Sequence, residues 1–234
     1  MARLYAEYVL PLLGECKRVL DVGCGTGSGV KYLGERGIEA YGIDLPSLES
    51  DWKMLSRKNM ISADATAIPF PDEYFDAVIS LATIEHIGTT PDESCLLAPE
   101  YGKARTAYAN ELLRVIKSGG RILLSCPSKS FPIDIQHAPT SDCALRSLRT
   151  RLAERSRIHF HRTWGKYHLL SYDETRALFD AARGFTPLPL KGYFSYAGFQ
   201  EGLFKKLVQA YINNLPAFLR ATALNPYVLV LIQR

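Results

Sequence analysis

A glycine-rich turn between Val19 and Gly27 constrains the fold of this 234-residue chain more than any other feature. The segment reads V-L-D-V-G-C-G-T-G, and the apolar run over 18–22 is typical of a short buried strand. Residues 28–36 have the spacing of a short helix. Glycines allow positive φ angles and let a ligand approach the backbone closely. A strand, a glycine turn and a helix in this order predict a nucleotide site at the carboxyl end of a parallel strand.

Strand-like and helix-like segments alternate along most of the chain. Helices are predicted over 3–13 (ending near Pro11), 46–57, 100–117 (ended by S-G-G) and 172–183 (from Ser171 as N-cap to Gly184). The other strands are predicted over 39–43, 59–63, 76–81, 121–126, 185–194 and 226–233. This alternation predicts an α/β fold in which helices cover both faces of a mostly parallel sheet.

Length and composition fit one globular domain over 1–234, with a lid-like insertion at about 127–170 that is rich in Arg and His. The net charge of +4 is too small to indicate nucleic acid. The five cysteines form no C-x-x-C pair, which argues against a disulfide framework and a zinc ribbon and favours a cytoplasmic protein. No signal peptide or membrane span is predicted, while peripheral membrane contact and the oligomeric state stay open.

The glycine turn does not fit the dinucleotide fingerprint G-x-G-x-x-G/A. Counting from Gly23, the sixth position is Ser28, and counting from Gly25 it is Val30. Asp21 stands two residues before the first glycine, where a carboxylate would repel a pyrophosphate but would suit an ammonium and a sulfonium group. A nucleotide-dependent oxidoreductase is therefore the weaker alternative.

The pattern D-x-G-x-G-x-G resembles the first motif of the class I, Rossmann-like methyltransferases that use S-adenosylmethionine (SAM). The similarity extends over about residues 15–126 and includes G-I-D-L at Asp44, S-A-D-A at Asp64 and the run E-L-L-R-V-I-K-S-G-G-R-I-L-L. It implies a seven-stranded sheet with 226–233 antiparallel beside the fifth strand. It also implies that Asp44 binds both ribose hydroxyls and that Asp64 faces the adenine amine. Leu45 either packs against the adenine ring or is a leucine at the edge of the core. The predicted cofactor residues are Asp21, Gly23, Cys24, Gly25, Gly27, Asp44, Leu45, Asp64, Ala65 and Leu81.

The acceptor side is predicted from two histidines. The fourth strand leads into S-L-A-T-I-E-H-I, whose E-H pair resembles small-molecule O- and N-methyltransferases, including those of quinone biosynthesis. The N-P-P-Y type of motif found in enzymes that methylate nucleic-acid amines is missing from the sequence, which disfavours a nucleic-acid substrate. His86 is the leading candidate for a general base, and a structural role is the alternative. His137, near Asp134 in a turn, is the second catalytic candidate and resembles a segment of glycan and lipid methyltransferases.

The insertion also carries a basic segment. Leu145, Leu148 and Leu152 have helical spacing among several arginines within 146–166, which predicts an amphipathic basic helix. Such a helix is either a solvated face or a surface that attracts phosphate, on an acceptor or at a membrane. His159 and His161 form H-x-H without a further ligand at a suitable spacing, so no metal site is predicted.

These patterns together predict a SAM-dependent methyltransferase that acts on oxygen or nitrogen of a small-molecule acceptor, such as a glycan, a lipid or another metabolite. The acceptor is expected to be anionic or phosphate-bearing if the basic helix contacts it. A catalytically silent SAM-binding protein is the alternative from outside the enzymes, and the intact cofactor residues disfavour it.

Overall fold

The computed structural model describes residues 2–45, 52, 59–90, 96–134, 136–137, 145–156, 159–193 and 203–234. Its main sheet has seven strands in the spatial order β3-β2-β1-β4-β5-β9-β8. Their bounds are β1 Arg18–Val22, β2 Glu39–Asp44, β3 Met60–Ser62, β4 Phe75–Leu81, β5 Ile116–Pro127, β8 Gly184–Pro187 and β9 Tyr227–Gln233. A separate two-stranded sheet pairs β6 Ile133–Asp134 with β7 His159–Phe160.

Strands β1 to β5 and β8 run in one direction, and β9 is the strand of this sheet that runs opposite to them. Strand β9 runs antiparallel to both β5 and β8 and lies between them, so that β8 forms one edge of the sheet. The predicted Rossmann-like architecture, with the last strand antiparallel beside the fifth, is confirmed. Because β1 to β4 are parallel neighbours, their carboxyl ends meet at one edge of the sheet, where the predicted cofactor residues lie.

Helices cover both faces of the sheet. The helical bounds are α1 Ala2–Leu4, a π-helical stretch Tyr5–Val9, α2 Leu10–Leu13, α3 Ser28–Gly34, α4 Tyr101–Val115, α5 Arg146–Ser156, α6 Tyr172–Leu178 and α7 Leu203–Asn213. Neighbouring strand residues alternate between two cores. Val19 packs with residues of the N-terminal helical segments, α3 and α7, whereas Leu20 packs with Tyr108 and Leu112 of α4. Strand β1 in the middle of the sheet is therefore buried on both sides, as parallel strands usually are.

The helix boundaries differ from the predictions at three places. Helix α4 ends at Val115, and the S-G-G segment lies within the bounds of β5 as a bulge in which Gly119 has a φ of 77°. Helix α6 begins with Ser171 in a capping box, as predicted, but ends at Leu178, while Gly184 opens β8. Pro11 lies inside a continuous helical segment over 2–13, directly after the π-helical stretch and two residues before the helix ends at Leu13.

One predicted helix lies largely outside the described residues, and one helix was missed. The helix predicted over 46–57 falls outside the described part of the chain except for Trp52. The amphipathic helix α7 was not predicted, and it buries Ile212 in the core while Leu207 and Tyr211 remain exposed. None of the helices in the described part of the chain combines the length and the apolar character needed to cross a membrane.

Candidate active site

The glycine turn joins β1 to α3 with three left-handed residues. Gly23, Gly25 and Gly27 have φ angles of 74°, 52° and 71°. A Cβ on Gly23 would lie 2.2 Å from Oγ1 of Thr83, whereas a Cβ on Gly25 would meet no atom within 4 Å. The turn is therefore packed closely against Thr83, just after β4, at Gly23 and is open at Gly25, where a ligand can approach the backbone.

We expect Gly23→Ala to lower the free energy of unfolding by about 2–3 kcal/mol, because it adds a close contact with Thr83 to the cost of a left-handed alanine. Gly25→Ala is a matched control with the same backbone strain and no close contact, and it should cost about 1 kcal/mol. Urea unfolding of the ligand-free protein measures both changes. Equal losses in the two variants would contradict the assigned packing at Gly23.

Asp44 connects the end of β2 to the glycine turn. Its Oδ2 accepts a hydrogen bond of 2.7 Å from the Gly25 N–H, and its Oδ1 accepts one of 2.8 Å from the Leu45 N–H. Each carboxylate oxygen has a second lone pair and can accept another hydrogen bond. Leu45 is 52% exposed, which leaves a large apolar side chain beside this carboxylate. A ribose and an adenine ring both find suitable partners here.

Asp64 follows β3 and forms an Asx turn. Its Oδ1 accepts hydrogen bonds of 2.8 Å from both the N–H and the hydroxyl of Thr66. The side chain is exposed, and Ala65 beside it is half-buried. Leu81 is half-buried at the end of β4, next to β1 in the sheet. These residues lie at the carboxyl ends of neighbouring strands and thus at the predicted edge.

Asp21 lies beneath the turn and is only 5% exposed. The Tyr5 hydroxyl donates a hydrogen bond of 2.7 Å to its Oδ2. Burial raises the pKa of Asp21 to about 6, helped by the charge of Asp44 and opposed by the Tyr5 hydrogen bond. Asp21 therefore contacts the N-terminal helical stretch and supports the turn from below.

Sequence reasoning missed two aromatic residues at this site. Tyr5 belongs to the π-helical stretch, and a Cβ on Gly29 would lie 2.2 Å from its hydroxyl oxygen. The Trp52 indole donates a hydrogen bond of 2.9 Å to the Gly25 carbonyl and is 4% exposed. Tyr5 lay in a predicted helix, but no pattern linked that helix to Asp21. The only signal for Trp52 was a single tryptophan soon after Asp44.

The predicted catalytic histidines lie side by side. His86 is exposed and ends a 3₁₀ turn, Ile84–His86, after β4. His137 follows β6, and its Nδ1 lies 2.8 Å from Oδ2 of the buried Asp134. The Nε2 atoms of His137 and His86 are 3.4 Å apart. The fold thus joins a residue from the loop after β4 with two from the insertion.

The electrostatics of the two histidines differ. Burial lowers the pKa of His86, and neighbouring His137 lowers it further. For His137 burial also lowers the pKa, but the hydrogen bond and charge of Asp134 outweigh it and leave the pKa raised. Glu85 is completely buried beside them, and burial raises its pKa to about 7.

Arg105 of α4 connects the loop after β4, which carries Glu85 and His86, with the segment that carries His168. Its guanidinium is buried, and it donates hydrogen bonds to the carbonyls of Ile87 and His168. The His168 ring is fully buried and packs edge-on against His137, with ring centroids 4.9 Å apart. His159 and His161 are also buried, with ring centroids 6.2 Å apart, on and just after β7.

Comparison with known proteins identifies the domain. Residues 20–124 match the family model described as a methyltransferase domain. Over these residues, less than half of the chain, the sequence is that of a class I SAM-dependent methyltransferase domain. The matched range includes the whole glycine turn, Asp44, Asp64 and the Glu85–His86 pair. The matched range ends within β5, so Asp134 and His137 of the insertion lie outside it.

Curated relatives of the methyltransferase domain act on different atoms. The chain is 31% identical over 146 residues to a fatty-acid O-methyltransferase of Mycolicibacterium smegmatis, covering 58% of this chain and 47% of the relative. It is 32% identical over 132 residues to a demethylmenaquinone methyltransferase of Clavibacter sepedonicus, covering 54% and 46%. It is 31% identical over 125 residues to phosphoethanolamine N-methyltransferase 1 of Zea mays, covering 50% and 22%. The matches span less than half the length of each relative.

Solved structures share the fold of the methyltransferase domain. A SAM-dependent methyltransferase of Archaeoglobus fulgidus superimposes with a TM-score of 0.55 at 17% identity, covering 100% of this chain and 92% of that one. A second, from Mesorhizobium loti, gives a TM-score of 0.53 at 15% identity, covering 100% and 98%. The seven-stranded sheet is thus that of the family.

Proposed function

We propose that this chain transfers a methyl group from SAM to an oxygen or nitrogen atom of a small-molecule acceptor. One observation carries the proposal. The open glycine turn, two acidic residues at the ends of β2 and β3, and the His86–His137 pair all belong to the carboxyl edge of one sheet or to the loops beside it. Relatives that methylate fatty acids and phosphoethanolamine support both classes of acceptor atom.

The chain's own residues fit the cofactor. When bound, SAM supplies an electrophilic methyl group on a positively charged sulfur. Asp44 would accept hydrogen bonds from the ribose hydroxyls through its free lone pairs, and Leu45 would cover the adenine ring. Asp64 would accept from the adenine amine. The glycine turn, supported by Asp21, would hold the methionine end, where the carboxylate's charge suits an ammonium group.

We propose His86 and His137 as the catalytic residues. The reacting atom of the acceptor would lie against their Nε2 atoms, which are 3.4 Å apart. Asp134 is a positioning residue, because its contact with Nδ1 orients the His137 ring and makes Nε2 the free nitrogen. Methyl transfer needs an aligned acceptor, so positioning by this pair supplies much of the catalysis.

Mass spectrometry and transfer assays test the function together. Copurified SAM or S-adenosylhomocysteine is expected, whereas a bound nicotinamide would overturn the proposal. Methyl-labelled SAM is then incubated with a fatty acid, a prenylated phenol, phosphoethanolamine and a metabolite extract. Label should appear in one of these acceptors. Binding of SAM without transfer to any fraction would identify a silent SAM-binding protein instead.

The insertion over 127–170 is proposed as the cover of the acceptor side. Helix α5 within it exposes Arg151 and Arg155 together with Leu148 and Leu152, which are 55% and 56% exposed. The predicted basic helix is therefore present. Burial is the main cause of the lowered pKa of His159, and the charge of Arg149 in α5 adds to it, so the helix lies near the strand that pairs with β6. An anionic or phosphate-bearing acceptor would be attracted to this end of the site.

The expectation of a cytoplasmic protein stays a prediction.

We expect Arg151→Glu plus Arg155→Glu to raise the acceptor KM on the order of fivefold, because two exposed attractions become repulsions. The KM of the unchanged protein should also rise with salt, since exposed charges are screened over about 8–10 Å at ordinary ionic strength. SAM affinity should not change.

Arg176→Glu plus Arg183→Glu alters the net charge equally at exposed positions of and after α6 and serves as the matched control. Steady-state kinetics with the identified acceptor measure the effect. If the acceptor KM changes neither with salt nor in the Arg151→Glu plus Arg155→Glu variant, α5 is only a solvated helix face.

A further inference from the structure

Three side chains converge beside the proposed acceptor position. Glu85, His86 and His137 each offer one ligand atom, and these atoms lie within 4.8 Å of one another. Glu85 is fully buried, and within the described part of the chain neither of its carboxylate oxygens has a hydrogen-bond partner. A buried carboxylate without partners is costly unless a cation or a donor compensates it. The arrangement therefore calls for a positive group between these three residues.

The distance between the histidines fits a shared ion. Their Nε2 atoms are 3.4 Å apart. Two nitrogens that each lie about 2.0–2.1 Å from a tetrahedral Zn²⁺ are themselves about 3.4 Å apart. A metal-bound histidine usually donates its second ring N–H to a carboxylate, which fixes the ring and the tautomer. Asp134 provides that carboxylate for His137, at 2.8 Å from Nδ1.

We propose that Glu85, His86 and His137 bind a divalent transition-metal ion, with Asp134 supporting His137 from behind. Two imidazoles and one carboxylate form the ligand set of catalytic sites that keep an open coordination position. His86 is exposed, so the ion has a route from solvent. Resting on the proposed function, the open coordination position would take an oxygen atom of the acceptor.

The ion would also define how the two histidines act. With both Nε2 atoms used as ligands, neither ring is free to take a proton from the acceptor. A bound divalent ion would lower the pKa of an acceptor hydroxyl, so that the hydroxyl could give its proton to solvent water before methyl transfer without a dedicated general base. This role favours acceptors that offer a hydroxyl or carboxylate oxygen.

A second ligand group shares His137. Atoms of Asp134, His137 and His168 also lie within 4.8 Å of one another. Binding there would take Asp134 from its hydrogen bond with His137, and both Asp134 and His168 are buried away from solvent. The group with Glu85 and His86 keeps that hydrogen bond and has an exposed ligand, so we assign the ion to it. Sequence spacing indicated the Glu85–His86 pair and the proximity of Asp134 to His137, but it predicted neither complete group, because His86 and His168 lie on segments distant from His137.

Titration of chelator-treated protein with Co²⁺ tests the site without relying on activity. A saturable visible d–d absorption with one ion per chain is expected. Glu85→Gln and His86→Ala should weaken Co²⁺ binding on the order of 100-fold, and Asp134→Asn by about 10- to 100-fold. His86→Ala alters an exposed residue, so it tests the site even if a buried substitution disturbs folding.

Two control variants show whether Co²⁺ binding belongs to these three ligands. Glu100→Gln removes an exposed carboxylate that pairs with Lys103, and His168→Gln removes a ligand of the second group. Both should bind Co²⁺ like the unchanged protein. A missing one-to-one signal, unchanged binding in His86→Ala, or loss of binding in His168→Gln alone would overturn the proposal. SAM affinity, measured calorimetrically on the same samples, tests the proposed function separately. Normal SAM binding without Co²⁺ binding would overturn only the metal site.

Discussion

We expect His86→Ala to lower turnover by about a hundredfold or more while SAM affinity stays within about twofold. His86 is one of two imidazoles at the proposed acceptor position, and its Nε2 lies 3.4 Å from that of His137. Its side chain has no hydrogen bond to the glycine turn among the described residues, so the cofactor contacts should survive. Because the position is exposed, the substitution should leave the fold intact.

Single-turnover kinetics at saturating SAM provide the measurement, with calorimetric SAM binding as the internal control. His137→Ala should show a similar loss because the two rings act on the same atom. Normal turnover in His86→Ala would assign that ring a structural role. A parallel fall in SAM affinity would mean that the loop after β4 shapes the cofactor site itself.

Asp44→Ala should weaken SAM binding at least tenfold. Hydrogen bonds between a carboxylate and ribose hydroxyls are each worth about 1.5–3 kcal/mol, and about 1.4 kcal/mol already corresponds to tenfold. The substitution also removes the acceptor for the Gly25 and Leu45 N–H groups, which loosens the turn before the ligand arrives.

Asp44→Asn is the matched variant, because it keeps one acceptor oxygen and removes the charge. Its affinity should fall between those of Asp44→Ala and the unchanged protein. Titration calorimetry gives the dissociation constants, and circular dichroism verifies the fold. Unchanged affinity in a folded Asp44→Ala protein would refute the ribose assignment.

The strands β1 to β4 and the cofactor residues at their carboxyl ends could be predicted from the sequence, because each is marked by a local sequence pattern. Buried parallel strands produce uninterrupted apolar runs, and glycines mark a turn with positive φ angles. Asp44 ends β2 and Asp64 follows β3 closely, so both acids could be placed at the sheet edge once the strands were known. The antiparallel place of β9 came from the family resemblance, since no local pattern defines strand order.

The remaining features depend on contacts between distant segments. Tyr5 reaches Asp21, and the indole of Trp52 reaches Gly25, without any spacing rule that connects them. Glu85 was read only as part of an E-H pair, although its complete burial beside His137 is what makes the cluster unusual. The S-G-G segment has strong turn propensity and keeps a left-handed residue at Gly119, but β5 pairs with β4 on both sides of it, so it forms a bulge within a strand rather than the end of a helix.

The position of β9 also has a consequence for how the protein is made. Strand β5 pairs with β9 from Arg121↔Gln233 to Pro127↔Tyr227, and β9 in turn carries β8. While the ribosome is still producing the insertion, the cofactor half is already complete, but one side of β5 has no partner. An unpaired apolar edge of this kind is a template for pairing with other chains. The nascent domain therefore has an unpaired, aggregation-prone edge at β5 until β9 is synthesised and pairs with it.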